Sequence, residues 1–150
     1  MVTTWADSAL ARLRRASGRS GGARRVVVEF LGRQECCLSA QEIHEGLRAA
    51  GARIGIASVY RALEGLDELG LVQRVDLGDG VSRFEPAHPG GDHHHHLVCE
   101  DCGKVEPFED PSLEAVIVSV ADGHGYAVAA HDVVLRGACE DCRGGAPEGP

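Results

Sequence analysis

Residues 39–85 read SAQEIHEGLRAAGARIGIASVYRALEGLDELGLVQRVDLGDGVSRFE, and the order of elements they encode decides the fold. Ser39-Ala40-Gln41-Glu42 is a capping-box pattern, in which the Ser39 hydroxyl accepts from the Glu42 amide and the Glu42 carboxylate reaches back to the Ser39 amide. The helix that follows carries Ile43, Leu47 and Ala50 on one side, and Gly51 ends it. Ile54-Gly55-Ile56-Ala57 leads into a second predicted helix, Ser58–Leu69, with Val59, Leu63 and Leu66 as its buried stripe and Gly70 as its stop. Leu71–Val75 and Ser82–Glu85 are strand-like, with Gly78-Asp79-Gly80 as the turn between them. Two helices joined by a short turn and followed by a two-stranded hairpin make a winged helix-turn-helix.

Upstream, Ser8–Ser17 and Ala23–Leu31 have helical spacing of apolar residues, and Gly18–Gly22 separates them. Downstream, Pro86–Asp92 holds two prolines and two glycines and reads as a hinge. Beyond it the pattern predicts strands at His96–Cys99 and Val105–Phe108, a helix at Ser112–His124 and a long strand at Tyr126–Leu135. The expected class is α+β. A winged-helix domain covers 1–85, a hinge 86–92, and a small α/β domain 93–143; the Gly/Pro-rich tail 144–150 is expected to be disordered.

A chain of 150 residues has room for two small domains but no large core. The longest apolar runs are far too short to span a membrane, and Met1–Trp5 lacks the features of a signal peptide. A cytoplasmic location without a membrane partner is the expectation. The net charge of −8 conceals an asymmetry. Residues 1–84 carry twelve arginines against ten acidic residues, a balance of +2, and residues 85–150 carry three basic against thirteen acidic residues, a balance of −10. Arg12, Arg14, Arg15, Arg19, Arg24 and Arg25 cluster near the start. The pattern suits a first half that faces nucleic acid and a second that does not; two solvated faces would produce it as well.

The six cysteines fall as Cys36-Cys37, Cys99-x-x-Cys102 and Cys139-x-x-Cys142. Paired CxxC units in a cytosolic chain point to metal or redox chemistry rather than structural disulfides. Zinc takes four thiolates in a tetrahedron, and two CxxC turns supply a closed shell of that kind. A redox pair is the competing reading. In the run His93-His94-His95-His96, strand alternation puts His93 and His95 on one face and His94 and His96 on the other, so one stretch can feed two metal sites. A solvated polar loop is the bland alternative. Further candidate ligands are Glu85 and His88 at the hinge, Cys37 ahead of the Ser39 helix, and Glu114 and His131 near the C-terminus. The four-cysteine set leaves no open coordination position and the histidines form no HExxH, which argues against an enzyme and a small-molecule substrate.

Three segments together resemble the ferric uptake regulator superfamily of bacterial metalloregulators: Ser39–His44, Gly55–Leu63 and, most specifically, His93–Val105. The likeness runs from about Arg19 to Cys142, with His124-Gly125-Tyr126, His131 and the last CxxC at the family's spacing. It implies a homodimer that binds double-stranded operator DNA, with an N-terminal winged helix and a C-terminal dimerisation domain. It also implies a structural Zn2+ on Cys99, Cys102, Cys139 and Cys142, and a second site on His93, His95, Glu114 and His131. A regulatory site at the hinge would use Glu85, His94 and His96. Cys37 stands where iron sensors usually carry a histidine, and His88 where zinc sensors with four histidines often carry a cysteine. Ser58, Tyr60 and Arg61 would lie at the start of the recognition helix. The resemblance gives Tyr60 a thymine methyl and Arg61 the backbone as partners; Arg19 and Arg24 are candidates for phosphate or minor-groove contacts. A thiolate among imidazoles favours Zn2+ as the regulatory ion, and the four-histidine run resembles zinc uptake regulators. Phe84-Glu85 resembles the iron-type hinge, so Fe2+ stays open, as does a peroxide- or redox-sensing role.

Overall fold

The computed structural model describes residues 2–18, 21–88 and 94–144. The chain divides into two compact units, Met1–Asp92 and His93–Pro150.

The first unit begins with α1 (Trp5–Ser17), α2 (Gly22–Leu31), β1 (Leu38–Ser39) and α3 (Ala40–Ala49), and continues with α4 (Ile56–Glu68), β2 (Val72–Asp76) and β3 (Ser82–Pro86). The Ser39 capping box forms as expected: Ser39 Oγ accepts from the Glu42 amide at 3.2 Å, and the Ser39 amide donates to Glu42 Oε2 at 2.7 Å. A second capping box, Thr4 with Asp7, starts α1 three residues earlier than the apolar spacing predicts. Helix α4 also starts two residues earlier than predicted, because extended Gly55 caps it; Ser58 is therefore its third residue and not its first.

Leu13, Val27, Val28, Leu31, Ile43, Leu47, Val59, Leu63 and Leu66 bring the apolar stripes of the four helices into one core, closed from the sheet side by Val72 and Phe84. Each fully buried Leu or Val contributes roughly 1.5–3 kcal/mol by leaving water. The sheet order is β1-β3-β2, all antiparallel. Arg12 Nη2 donates to the Leu69 carbonyl at 2.7 Å and Trp5 Nε1 to that of Leu71 at 3.2 Å, so α1 is fastened to the end of α4. The first residues of the expected hinge are tied to this unit, since Pro86 ends β3 and the Ala87 amide donates to the Leu71 carbonyl at 3.0 Å.

The second unit holds β4 (His95–Cys99), β5 (Val105–Phe108), α5 (Pro111–Gly123), β6 (Val134–Gly137) and the short α6 (Glu140–Arg143). β4 is central, antiparallel to β5 and parallel to β6. The long strand expected over Tyr126–Leu135 is not formed: only Val134–Gly137 pairs, and the preceding stretch is irregular. Tyr126 and Val128 are exposed there. The sequence has strand propensity, but strand geometry needs a ladder partner, and among the described residues of this unit β4 already has its two neighbours. Apolar α5 has no buried residue, and Val116, Val118 and Val120 are 57%, 49% and 57% exposed.

Candidate metal centres and recognition helix

The β4–β6 register, Cys99 against Gly137, carries the second CxxC to the end of the strand that holds the first. Cys102 lies in the turn after β4, where Gly103 takes φ +77° and donates its amide to the Cys99 carbonyl at 2.9 Å. Cys139 caps α6 and Cys142 lies one turn on. All four sulfurs lie within 4.8 Å of one another, with Cys102 and Cys139 Sγ at 3.8 Å. A tetrahedron with metal–sulfur bonds of about 2.3 Å has an edge of about 3.8 Å, so the spacing fits zinc. The Cys139 amide donates to Cys99 Sγ at 3.3 Å. That bond, with the amides of Cys102 and Asp101, lowers the Cys99 thiol to about 6, in favour of the thiolate a metal needs. Cys142 is pushed up by the neighbouring thiols, Cys139 first, since sulfurs this close cannot all ionise without a cation among them.

Within the described part of the histidine run, His94–His96, side chains follow strand alternation. On one face of β4, His95 Nε2 meets Glu114 Oε1 at 2.5 Å, and the other oxygen of Glu114 lies 2.8 Å from His131 Nε2. His95 is 1% exposed and packs against Phe108, its register partner on β5, at 5.4 Å between ring centroids. Two imidazoles and a carboxylate within 4.8 Å of one another form a set that suits zinc or a related divalent ion. His93, expected as the fourth member, lies outside the described residues. The rings of His94 and His96 stand side by side, with centroids 5.0 Å apart.

In the first unit, β1 pairs with β3 so that Leu38 faces Phe84, and this register sets Cys37 beside Glu85, its sulfur within 4.8 Å of the carboxylate. The Gln73 side-chain amide, across from Glu85 on β2, donates to Glu85 Oε1. The Cys37 thiol is pushed well above its usual range by its hydrogen bond with Cys36, then by burial, then by the charges of Cys36 and Glu85. His88 is exposed, two residues past β3. Two contributors escaped the sequence reading. Gln73 is an ordinary polar strand residue with no signal of its own, and Cys36 was visible only as half of an adjacent pair.

On α4, Tyr60 is 48% exposed although it follows fully buried Val59, and Arg61 is exposed with Nη2 3.3 Å from Ser58 Oγ. Arg24 is half-buried against α4: a Cβ placed on Gly65 would meet its guanidinium at 3.2 Å. Arg19 lies outside the described residues. Among the described residues no helix is long and apolar enough to cross a membrane.

A winged helix reads duplex DNA by laying its second helix in the major groove, and thiolate and imidazole clusters give a chain the means to answer to a metal. Together they define a metal-responsive transcription regulator. The chain belongs to the ferric uptake regulator family, whose sequence model matches residues 16–136. It is 41% identical over 108 residues to the ferric uptake regulation protein of Escherichia coli, covering 71% of this chain and 72% of that one. The Helicobacter pylori ferric uptake regulator, a structure described as having three functional metal-binding sites, superposes with a TM-score of 0.80 at 28% identity over 96% of both chains. That of Vibrio cholerae superposes with a TM-score of 0.75 at 35% identity, covering 86% of this chain and 98% of that one. Family members are DNA-binding transcription regulators and not enzymes.

Proposed function

We propose that this protein is a homodimeric repressor that binds operator DNA when zinc occupies a regulatory site at the hinge, and so controls metal-uptake genes. The ligands of that site are drawn from Glu85, Cys37 and His88 in the first unit and His94 and His96 in the second. Cys99, Cys102, Cys139 and Cys142 hold a structural zinc. His95, Glu114 and His131, with His93, hold a second ion in the same unit. Ser58, Tyr60 and Arg61 face the bases and phosphates of the operator, and Arg19 and Arg24 add backbone contacts.

The observation that carries the metal choice is the thiol of Cys37 beside Glu85, on the strand edge where a carboxylate and an imidazole would suit iron. Sulfur shifts the preference toward zinc. The unburied valines of α5 support the dimer, since a helix this apolar needs a partner surface. Metal at the hinge favours one arrangement of the two units over others, and a coupling of about 1–3 kcal/mol is enough for a roughly 5–150-fold change in DNA affinity.

A ferrous-iron sensor is the second reading. The Glu85 carboxylate, positioned by Gln73, favours it, together with the imidazoles of His94 and His96. Titrating operator binding with buffered zinc and, separately, with anaerobic ferrous iron distinguishes the two.

A further inference from the structure

The exposed residues of α4 change in character along its length. Ile56, Ala57, Tyr60 and Arg61 come first, and Glu64 and Glu68 follow. Carboxylates are repelled by phosphates, so the first two turns of this helix suit a DNA groove and the later ones do not. Where the N-terminal end lies in space therefore decides what it reads, and its cap, Gly55, has no side chain to fix it. The turn ahead of α4 is instead fastened to α3 in two places. Its first half is tied by the backbone, with the Gly51 amide donating to the Arg48 carbonyl at 3.0 Å and the Ala52 amide to that of Leu47 at 2.9 Å. Its second half is held by a side chain. His44 of α3 places Nε2 2.9 Å from the carbonyl of Ile54, the residue before the cap. A carbonyl only accepts, so Nε2 carries the proton and donates. His44 is half-buried, next to fully buried Ile43, and Ile54 packs against the helical core. A bond in that setting is partly shielded from water, and losing its donor costs more than it would at the surface.

We propose that His44 is a positioning residue for DNA recognition: by holding the Ile54 carbonyl it sets the place and angle from which Ile56, Tyr60 and Arg61 meet the operator. It touches no DNA itself. The inference rests on α4 as the helix that reads DNA. It has a consequence that a merely stabilising bond would not have. Attraction to phosphates is independent of sequence and tolerates a small displacement of the helix, whereas base contacts do not. Loss of the His44 bond therefore lowers specific affinity and leaves non-specific affinity in place.

The test uses the whole protein, loaded with whichever of zinc and ferrous iron activates it, and a duplex that it selects from random sequence. Affinity for this duplex and for an unrelated duplex of equal length is measured by fluorescence anisotropy at one salt concentration. His44→Leu keeps a similar volume and loses the donor. It should bind the selected duplex about tenfold more weakly and the unrelated duplex as the wild type does. His44→Gln, whose amide nitrogen reaches about as far as Nε2, should recover most of the loss. Hydrogen exchange gives a reading without DNA. The Ser58 and Val59 amides, which donate to the Gly55 carbonyl, should exchange about tenfold faster in His44→Leu, and the Leu47 amide of α3 should not. Wild-type exchange at α4 with wild-type binding overturns the proposal, as does an equal loss of affinity for both duplexes. Faster exchange at the start of α4 with unchanged affinity for the selected duplex overturns it in another way: the hydrogen bond stands, and the reading of α4 as the recognition helix falls.

Discussion

Substituting Cys139 by serine should unfold the second unit and leave the first intact. The buried apolar side chains of the chain lie in the first unit, with Cys99 the exception among the described residues. Among the described residues the second unit therefore has almost no core of its own, and its apolar helix α5 has no fully buried residue. Its β4–β6 pairing ends at the thiolate cluster, and Cys139 both caps α6 and donates its amide to Cys99. A structural zinc site supplies roughly 10 kcal/mol or more of folding free energy, and a three-sulfur site loses most of it. That is as large as the whole stability of about 5–15 kcal/mol typical of a domain, and this unit has only a small core to set against its loss. Hydrogen exchange read by mass spectrometry is the assay. Amides of β4, β5 and β6 should lose protection in Cys139→Ser, and those of α3 and α4 should keep it. Protection of the β4–β6 amides within about tenfold of wild type, equivalent to about 1.4 kcal/mol, would refute the reasoning.

Three further outcomes follow from the geometry. Val116→Glu puts a carboxylate on the exposed apolar face of α5 and should weaken dimerisation about tenfold or more, seen as a shift to monomer in sedimentation. Tyr60→Ala removes an exposed side chain from the start of α4 and should cost about 1–3 kcal/mol of operator affinity with little change in non-specific binding, measured by titration against both DNAs at one salt concentration. Leu63→Ala empties a fully buried position in the helical core and should destabilise the first unit by about 2–5 kcal/mol in denaturant unfolding.

The winged helix was legible because its signals are local. Ser39 and Glu42 form a cap from four consecutive residues, and Val59, Leu63 and Leu66 repeat at helical spacing on a helix that buries them within its own unit. The alternation of His94, His95 and His96 was legible for the same reason, and β4 sends His95 to Glu114 as the period of two requires. Reading failed where the partner is distant or absent from the local pattern. Tyr126–Val133 has the composition of a strand without a pairing neighbour among the described residues of its unit. The start of α4 was misplaced because an extended glycine, Gly55, acts as its cap with no side-chain signal. The closeness of Cys37 to Glu85 follows from the two-residue strand β1, too short to show as a period in the sequence.

The central claim is that metal occupancy controls DNA binding and that the metal is zinc. Operator binding should be measured by fluorescence anisotropy on protein that retains its structural zinc, titrated with buffered free zinc and, in separate anaerobic samples, with ferrous iron. The account predicts tight binding at low free zinc and no activation by iron. Activation by iron with zinc ineffective would contradict the zinc assignment, and affinity unchanged by either metal would contradict the regulatory mechanism itself.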